Sequence, residues 1–326
     1  MYPKQREENA AMQEFDHLDV THTIDLTDPP AVCNAVCELL GKEDAAIDRS
    51  LISRAFEVFS SLYAGTLPGY HGCETLYHDM QHALDVTLAC ARMQAGHECA
   101  HASSGRLGAG RLALGVIVAL FHDAGYIRRR QDRRCWHGAQ YTLHHVARGG
   151  RLLSHFLTQE GHGDWARRAV KLIHFTGYEI PLEQIRLDDP LDQRLGHLIG
   201  TADLIAQMAD RVYLEKCRDY LYEEFELGGL TKRRHADGSI EVLYDSSWDL
   251  LSKTPAFYAG MVKKRLDADF RASYRFVEPL FGGANPYIEA IERNMGYLQQ
   301  VLDEGRLHEL LRRQPEPVLA PGTPGN

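Results

Sequence analysis

The sequence predicts an all-α fold, a single compact multi-helix domain. Three observations predict it. Apolar residues recur mostly at helical spacing, strand signals are nearly absent, and no linker-like stretch divides the middle of the chain. At 326 residues, with 44% hydrophobic and 25% charged content, the chain can bury a sizeable core and has the composition of an ordinary globular protein.

The helical pattern starts over 30–41, where Cys33 and Cys37 lie one turn apart on a packed face, and continues over 47–63. It resumes over 77–104, which carries His78 and His82, and over 109–126, whose apolar run Leu112 to Leu120 stops near Gly125. Residues 136–158 hold the pair His144-His145, and 163–175 forms a shorter helix. In 190–226, Asp203 is followed at helical spacing by Gln207 and by Asp210 or Arg211. Over 255–271, Phe257, Tyr258, Met261 and Phe270 are spaced to line one face, and 272–311 closes the domain. The one stretch with strand character is Ser239 to Tyr244, in a surface excursion that begins near Gly228-Gly229. Residues 1–27 are polar and acidic and the tail 313–326 is rich in proline and glycine, so both are expected to be flexible or disordered.

A net charge of −9 argues against a nucleic-acid partner, since phosphate-backbone binders present a basic face. No apolar stretch is long enough to span a bilayer, and the start, Met1 to Glu8, has no apolar core of a secretory signal. A cytoplasmic protein with no membrane partner is expected. The seven cysteines are scattered, without a CxxC pair, and fit reduced thiols.

Two runs carry the chemistry: Tyr77-His78-Asp79-Met80-Gln81-His82-Ala83-Leu84-Asp85-Val86 and Leu120-Phe121-His122-Asp123-Ala124-Gly125-Tyr126. A third element, Gly200-Thr201-Ala202-Asp203-Leu204, adds one more acid, Asp203, in an apolar setting. Apolar surroundings tolerate ionisable groups only when they are paired or bound to metal. On a helix His78 and His82 share a face, with Cβ atoms about 5–6 Å apart, and Asp85 continues that face. Imidazole plus carboxylate without thiolate favours Zn²⁺, Fe²⁺ or Mn²⁺, and two histidines with two aspartates leave positions open for water, as a catalytic site requires. An aspartate can bridge two ions, and a histidine beside the metal is suited to protonate a leaving alkoxide. For Asp85 a supporting role beside the ligands is expected rather than ligation. His155, His197 and His308 read as ordinary core histidines.

The order His…His-Asp…Asp resembles the HD superfamily of metal-dependent phosphohydrolases. The string Tyr77 to Val86 is similar to the class I cyclic nucleotide phosphodiesterases, which usually carry Asn where Asp79 stands. Thr201-Ala202-Asp203-Leu204, Glu223-Glu224-Phe225, the segment Phe276 to Phe281, Pro286 and Asn294 extend the likeness over roughly residues 50 to 300. The resemblance implies an HD/phosphodiesterase-like catalytic domain over 28–312. It implies two divalent ions (Zn, Fe, Mn or Mg) held by His82, His122, Asp123 and Asp203, with Asp123 bridging. It also implies His78 as general acid and a contact from His144 or His145 to metal-bound water. The substrate implied is a small cyclic nucleotide such as cAMP or cGMP, with other nucleotides or phosphoesters, or a binding module without turnover, as alternatives. A homodimer is left open.

The departures concern the base pocket. The family's purine-fixing Gln aligns with Asp269, its Thr-Asp reads Thr176-Gly177, and Tyr126 replaces a His. Candidate substrate contacts are Tyr77, Asp269, Phe270 and Arg129, the last from the basic run Arg128 to Arg134. That run reads equally as a solvated loop pairing with nearby acids. His97-Glu98-Cys99-Ala100-His101 reads as loop composition rather than a metal clip.

Overall fold

The computed structural model describes residues 17–308 and is built around one helix in which every residue from Met80 to Glu98 is buried. In chain order come α1 (Pro29–Glu43), α2 (Arg49–Tyr63), α3 (Met80–Ala100) and α4 (Ala109–Phe121), which ends in a 3₁₀ turn (Ala124–Tyr126). A second 3₁₀ turn (Gly138–Tyr141) leads to α5 (His145–Gln159), α6 (Gly163–Leu172) and α7 (Pro190–Ala209). Short helices α8 (Tyr213–Lys216) and α9 (Tyr222–Leu227) flank a π turn (Cys217–Leu221). A small hairpin, β1 (Lys232–Arg234) against β2 (Ile240–Val242), precedes α10 (Ser247–Phe257). Two π turns (Tyr258–Val262 and Arg265–Asp269), a 3₁₀ segment (Ser273–Phe281) and α11 (Pro286–Asp303) complete the chain.

The all-α expectation holds among the described residues. Helix α3 is buried on every side rather than amphipathic, and its polar residues, among them His82, Asp85, Arg92, Gln94 and Glu98, are buried with the rest. It packs against α7, the 3₁₀ segment 273–281, α4 and α1. Among the described residues no helix is long and apolar enough to cross a membrane. The cysteines are all free, and Cys33 and Cys37 are buried together on α1, as expected.

Several long helices expected from the sequence are broken, each with a local cause. The helix 77–104 begins only at Met80, because Asp79 caps it, its carboxylate accepting from the His82 amide at 2.8 Å. The stretch 190–226 breaks at Asp210, whose extended ψ of 130° ends α7. The stretch 255–271 is an α-helix only to Phe257. Pro255 removes a backbone donor inside it, and the chain continues in π turns. The stretch 272–311 is split at Gly282, in the left-handed region at φ 63°, and restarts at Pro286 behind the Asn285 cap.

The strand reading survives: Ile240–Val242 pairs antiparallel with Lys232–Arg234, Lys232 opposite Val242, on an exposed hairpin. Of the segment 1–27 read as flexible, residues 17–27 are described and make specific contacts. Leu18 bridges Asp25, and the buried Asp19 carboxylate accepts from Arg92 at 2.7 Å and from the amides of Thr21, Thr23 and Ile24. Residues 1–16 and the tail 313–326 lie outside the described residues. His97 and Glu98 are helical and buried, not loop, and Glu98 accepts from Arg106 and the Leu107 amide. Of the three expected core histidines only His197 is buried; His155 and His308 are exposed.

Candidate metal centre

Three elements bring the predicted ligands together. His82 sits in the first turn of α3, fixed there by the Asp79 cap. His122 and Asp123 lie where α4 gives way to its 3₁₀ turn, and Asp203 lies midway along α7. Adjacent residues on a regular helix diverge by about 100°. The change of winding after Phe121 lets His122 and Asp123 face one point. All four residues are buried.

His82, His122 and Asp123 form a buried group able to hold a metal ion. The two Nε2 atoms are 3.3 Å apart, and Asp123 Oδ2 lies 3.3 Å from His82 and 3.1 Å from His122. Asp203 Oδ1 stands 3.6 Å from each imidazole. Donors about 2.1 Å from one ion are about 3.0 Å apart at right angles and about 3.4 Å apart in a tetrahedron, so these spacings are those of a coordination shell. His122 Nδ1–H donates to the Ala119 carbonyl at 2.7 Å, which leaves the Nε2 lone pair for the site. Asp123 Oδ2, buried among these nitrogens, makes no hydrogen bond. A cation satisfies that oxygen and both lone pairs at once. The residues present therefore fit a divalent ion.

Asp123 also faces the other way: its Oδ1 is 3.4 Å from His145 Nε2. His145 donates Nδ1–H to the Thr142 carbonyl at 2.6 Å, so its Nε2 is again the free lone pair. Burial above all holds this imidazole below its ordinary pKa, which keeps it neutral. The approach depends on Gly125, where a Cβ would collide with the His145 carbonyl oxygen. His144 is different. It is exposed at the start of α5 and makes no contact with the group, so of the pair His144-His145 the second is the site residue.

His78 lies outside α3, in the loop that Asp79 ends, so it does not share a helix face with His82 as the spacing predicted. Its ring is still 5.8 Å from that of His82. Its Nδ1–H donates to Glu224 Oε2 at 2.6 Å. The other Glu224 oxygen accepts from the amides of Tyr77 at 2.6 Å and His78 at 3.3 Å. Burial alone would lower the His78 pKa; the charges of Glu224 and then Asp123 outweigh it and raise it to about 9. Tyr126 is stacked between His78 and His145, with centroids 4.7 and 4.4 Å away. The residue that departs from the family pattern thus orients both rings.

Tyr77 lines the cavity and donates its hydroxyl to Gln207 Oε1 at 3.2 Å. Gln207 Nε2 donates to the Asp203 carbonyl at 3.2 Å and reaches its Oδ1 at 3.4 Å. Asp85 is buried but hydrogen-bonds none of the ligands; its Oδ1 has no partner, and burial pushes its pKa up to about 8. The geometry therefore gives it no supporting bond to His82.

The cavity beside the group has a volume of about 370 Å³ and is walled largely by apolar and aromatic side chains, among them Leu204, Met208, Phe225 and Phe257. Among the described residues the lining has one lysine and no arginine; that lysine, Lys253, is engaged by Asp249 and the Leu243 carbonyl. Three expected substrate contacts lie elsewhere. Asp269 lines a neighbouring groove, and Phe270 is fully buried against Phe175 and His197. Arg129 is exposed, over the Tyr70 ring, and does not line the cavity. The basic run around it behaves as a loop tied to nearby acceptors, with Arg128 on Glu74 and Arg130 on the Gly65 carbonyl. Glu224 and Gln207 are the residues the sequence reading left without a role. Their signals were the Glu223-Glu224-Phe225 motif for Glu224 and, for Gln207, its helical spacing from Asp203.

The chain matches no protein-family model and no curated protein.

Proposed function

We propose that this chain is a metal-dependent phosphohydrolase of the HD type, cleaving a phosphodiester bond in a small cyclic nucleotide. The observation that carries the reading is the meeting of His82, His122 and Asp123 around one point, with His78 poised across the same cavity. In this reading those three residues and Asp203 hold one divalent ion, and Asp123 Oδ1 with His145 serves a second. Bound there, divalent cations supply an activated water and neutralise the charge that develops on phosphorus.

The chain's own residues do the rest. Glu224 holds Nδ1–H of His78, which leaves the Nε2 proton for the departing oxygen. Tyr126 holds the rings of His78 and His145 in place, and the cap residue Asp79 fixes the backbone of His82. The apolar walls exclude water and receive the organic part of the substrate.

The cavity also separates substrates. A di- or triphosphate brings more charge than the lining's cations, the protonated His78 and the already paired Lys253, can meet. A singly charged phosphodiester with a flat or apolar remainder fits such walls better. The test is turnover by metal-reconstituted protein against a panel of cyclic nucleotides, nucleoside mono- and triphosphates and simple phosphodiesters. Hydrolysis of cyclic nucleotides supports the reading. Turnover confined to monophosphates or triphosphates replaces it with a different phosphohydrolase. A protein that binds nucleotide and metal without turnover is a binding module instead.

A further inference from the structure

A second concavity, about 1020 Å³, adjoins the metal cavity and shares Tyr178 and Phe257 with it as a common wall. Its charge runs against that of the chain, which is −9 overall. Lys264, Arg265 and Arg271 line it, opposed only by Glu183 and Asp269. Lys264 and Arg271 are exposed, and neither is paired with an acid among the described residues.

Two buried donors in the same wall lack acceptors. His197, 6% exposed, receives the Gln193 amide on Nε2 at 3.2 Å, so its hydrogen sits on Nδ1, which has no partner. Arg265, also 6% exposed, spends its NH2 on the carbonyls of Phe175 and Gly177, at 3.0 and 2.7 Å, while its Nε has none. Both orphan atoms lie beneath the groove surface rather than on it, so they add polarity to its floor without themselves contacting a ligand. Burial, with Arg194 and Arg271 nearby, holds the His197 imidazole down to about 4, so it is neutral at physiological pH.

We infer that this groove is a second ligand site, one that takes a phosphate group through the exposed cations Lys264 and Arg271. Several oxygens with a charge near −2 match free cations and fork-shaped donors better than a carboxylate does. The site communicates with the metal cavity by contact. The Arg265 guanidinium stacks on Tyr178 at 4.2 Å and holds the Gly177 carbonyl, and both residues line that cavity. The phosphate belongs to a separate small ligand or, for a substrate larger than the cyclic nucleotide proposed above, to the end far from the reacting bond. The chemistry recognised is the same.

The inference does not rest on hydrolysis, and its test is separate. Full-length protein is titrated calorimetrically with inorganic phosphate and pyrophosphate at about 0.15 M salt, where surface charge is screened within about 8 Å. Wild type and His122→Ala, which disables the metal group but not the groove, are both expected to bind. The Lys264→Glu/Arg271→Asn double variant is expected to bind roughly tenfold more weakly at unchanged melting temperature, since both side chains are exposed. Equal affinity in the double variant, or no binding by wild type and His122→Ala, overturns the site. In turnover assays, competition by pyrophosphate assigns the phosphate to the substrate. A changed rate without competition assigns it to a separate ligand.

Discussion

His78 and Glu224 are 146 positions apart in the chain and 2.6 Å apart in the fold, imidazole Nδ1 against carboxylate Oε2. The pair gives the loop before α3 both its shape, through the two amides Glu224 also accepts, and its charge. An acid works only while protonated, so activity is predicted to fall as pH rises through the His78 pKa, near 9. Replacing Glu224 by Gln keeps an acceptor but removes the charge. The alkaline limb of the pH–rate profile then shifts to lower pH, and kcat at neutral pH drops by about 10²–10³-fold for alkoxide leaving groups. A nitrophenolate leaving group, which needs no proton, should hide most of that loss. An unmoved alkaline limb removes Glu224 from this role.

Metal affinity is predicted to rise with pH. Burial alone would lower the His122 pKa, but the Asp123 charge outweighs it and raises the value to about 9, so an incoming cation must displace a proton below that pH. Chelator competition between pH 6 and 8 should show affinity increasing by up to about tenfold per pH unit for each proton released. Affinity that does not change over this range contradicts the assignment of His122 as a ligand.

Gln207 is predicted to position Asp203. Removing its amide in Gln207→Ala frees the carboxylate and the Tyr77 hydroxyl together, and should weaken metal binding by about 10–100-fold with the fold intact. The readout is metal affinity, with the melting temperature as control. If affinity stays at the wild-type level, the contact is incidental.

The Asp19–Arg92 pair ties the segment before α1 to the central helix, and Arg92 also donates to the Tyr287 hydroxyl at 2.8 Å. Burial alone would raise the Asp19 pKa; Arg92 and Thr21 more than offset it and hold the carboxyl far below its ordinary value. Its stabilisation is therefore complete above the unfolded pKa of about 3.9 and is lost as pH falls below it. Asp19→Ala leaves a buried guanidinium uncompensated and should cost about 3–5 kcal/mol in denaturant unfolding. A cost under about 1 kcal/mol would mean that the segment is not anchored there.

The class of fold and the metal group were legible because both follow from local rules. Apolar residues at helical spacing gave the helices, and His82, His122, Asp123 and Asp203 announced themselves as ionisable side chains inside apolar runs. Helix ends were less legible, since the breaks at Asp210, Pro255 and Gly282 depend on caps and single dihedral angles. Partnerships across the chain were not legible at all. Nothing near Glu224 in sequence says that it accepts from His78, and Asp19 sits in a stretch whose composition reads as unstructured. Asp269 and Arg129 were misplaced for the same reason, because position along a chain does not fix which cavity a residue faces.

Metal content of the purified protein, measured by elemental analysis for wild type and Asp123→Ala side by side, tests the central claim most directly. The account predicts roughly two divalent ions per wild-type chain, as in two-ion hydrolytic sites, and their loss in a variant that remains folded. Wild-type protein that stays metal-free after reconstitution, or an Asp123→Ala variant that retains the full complement, would contradict it.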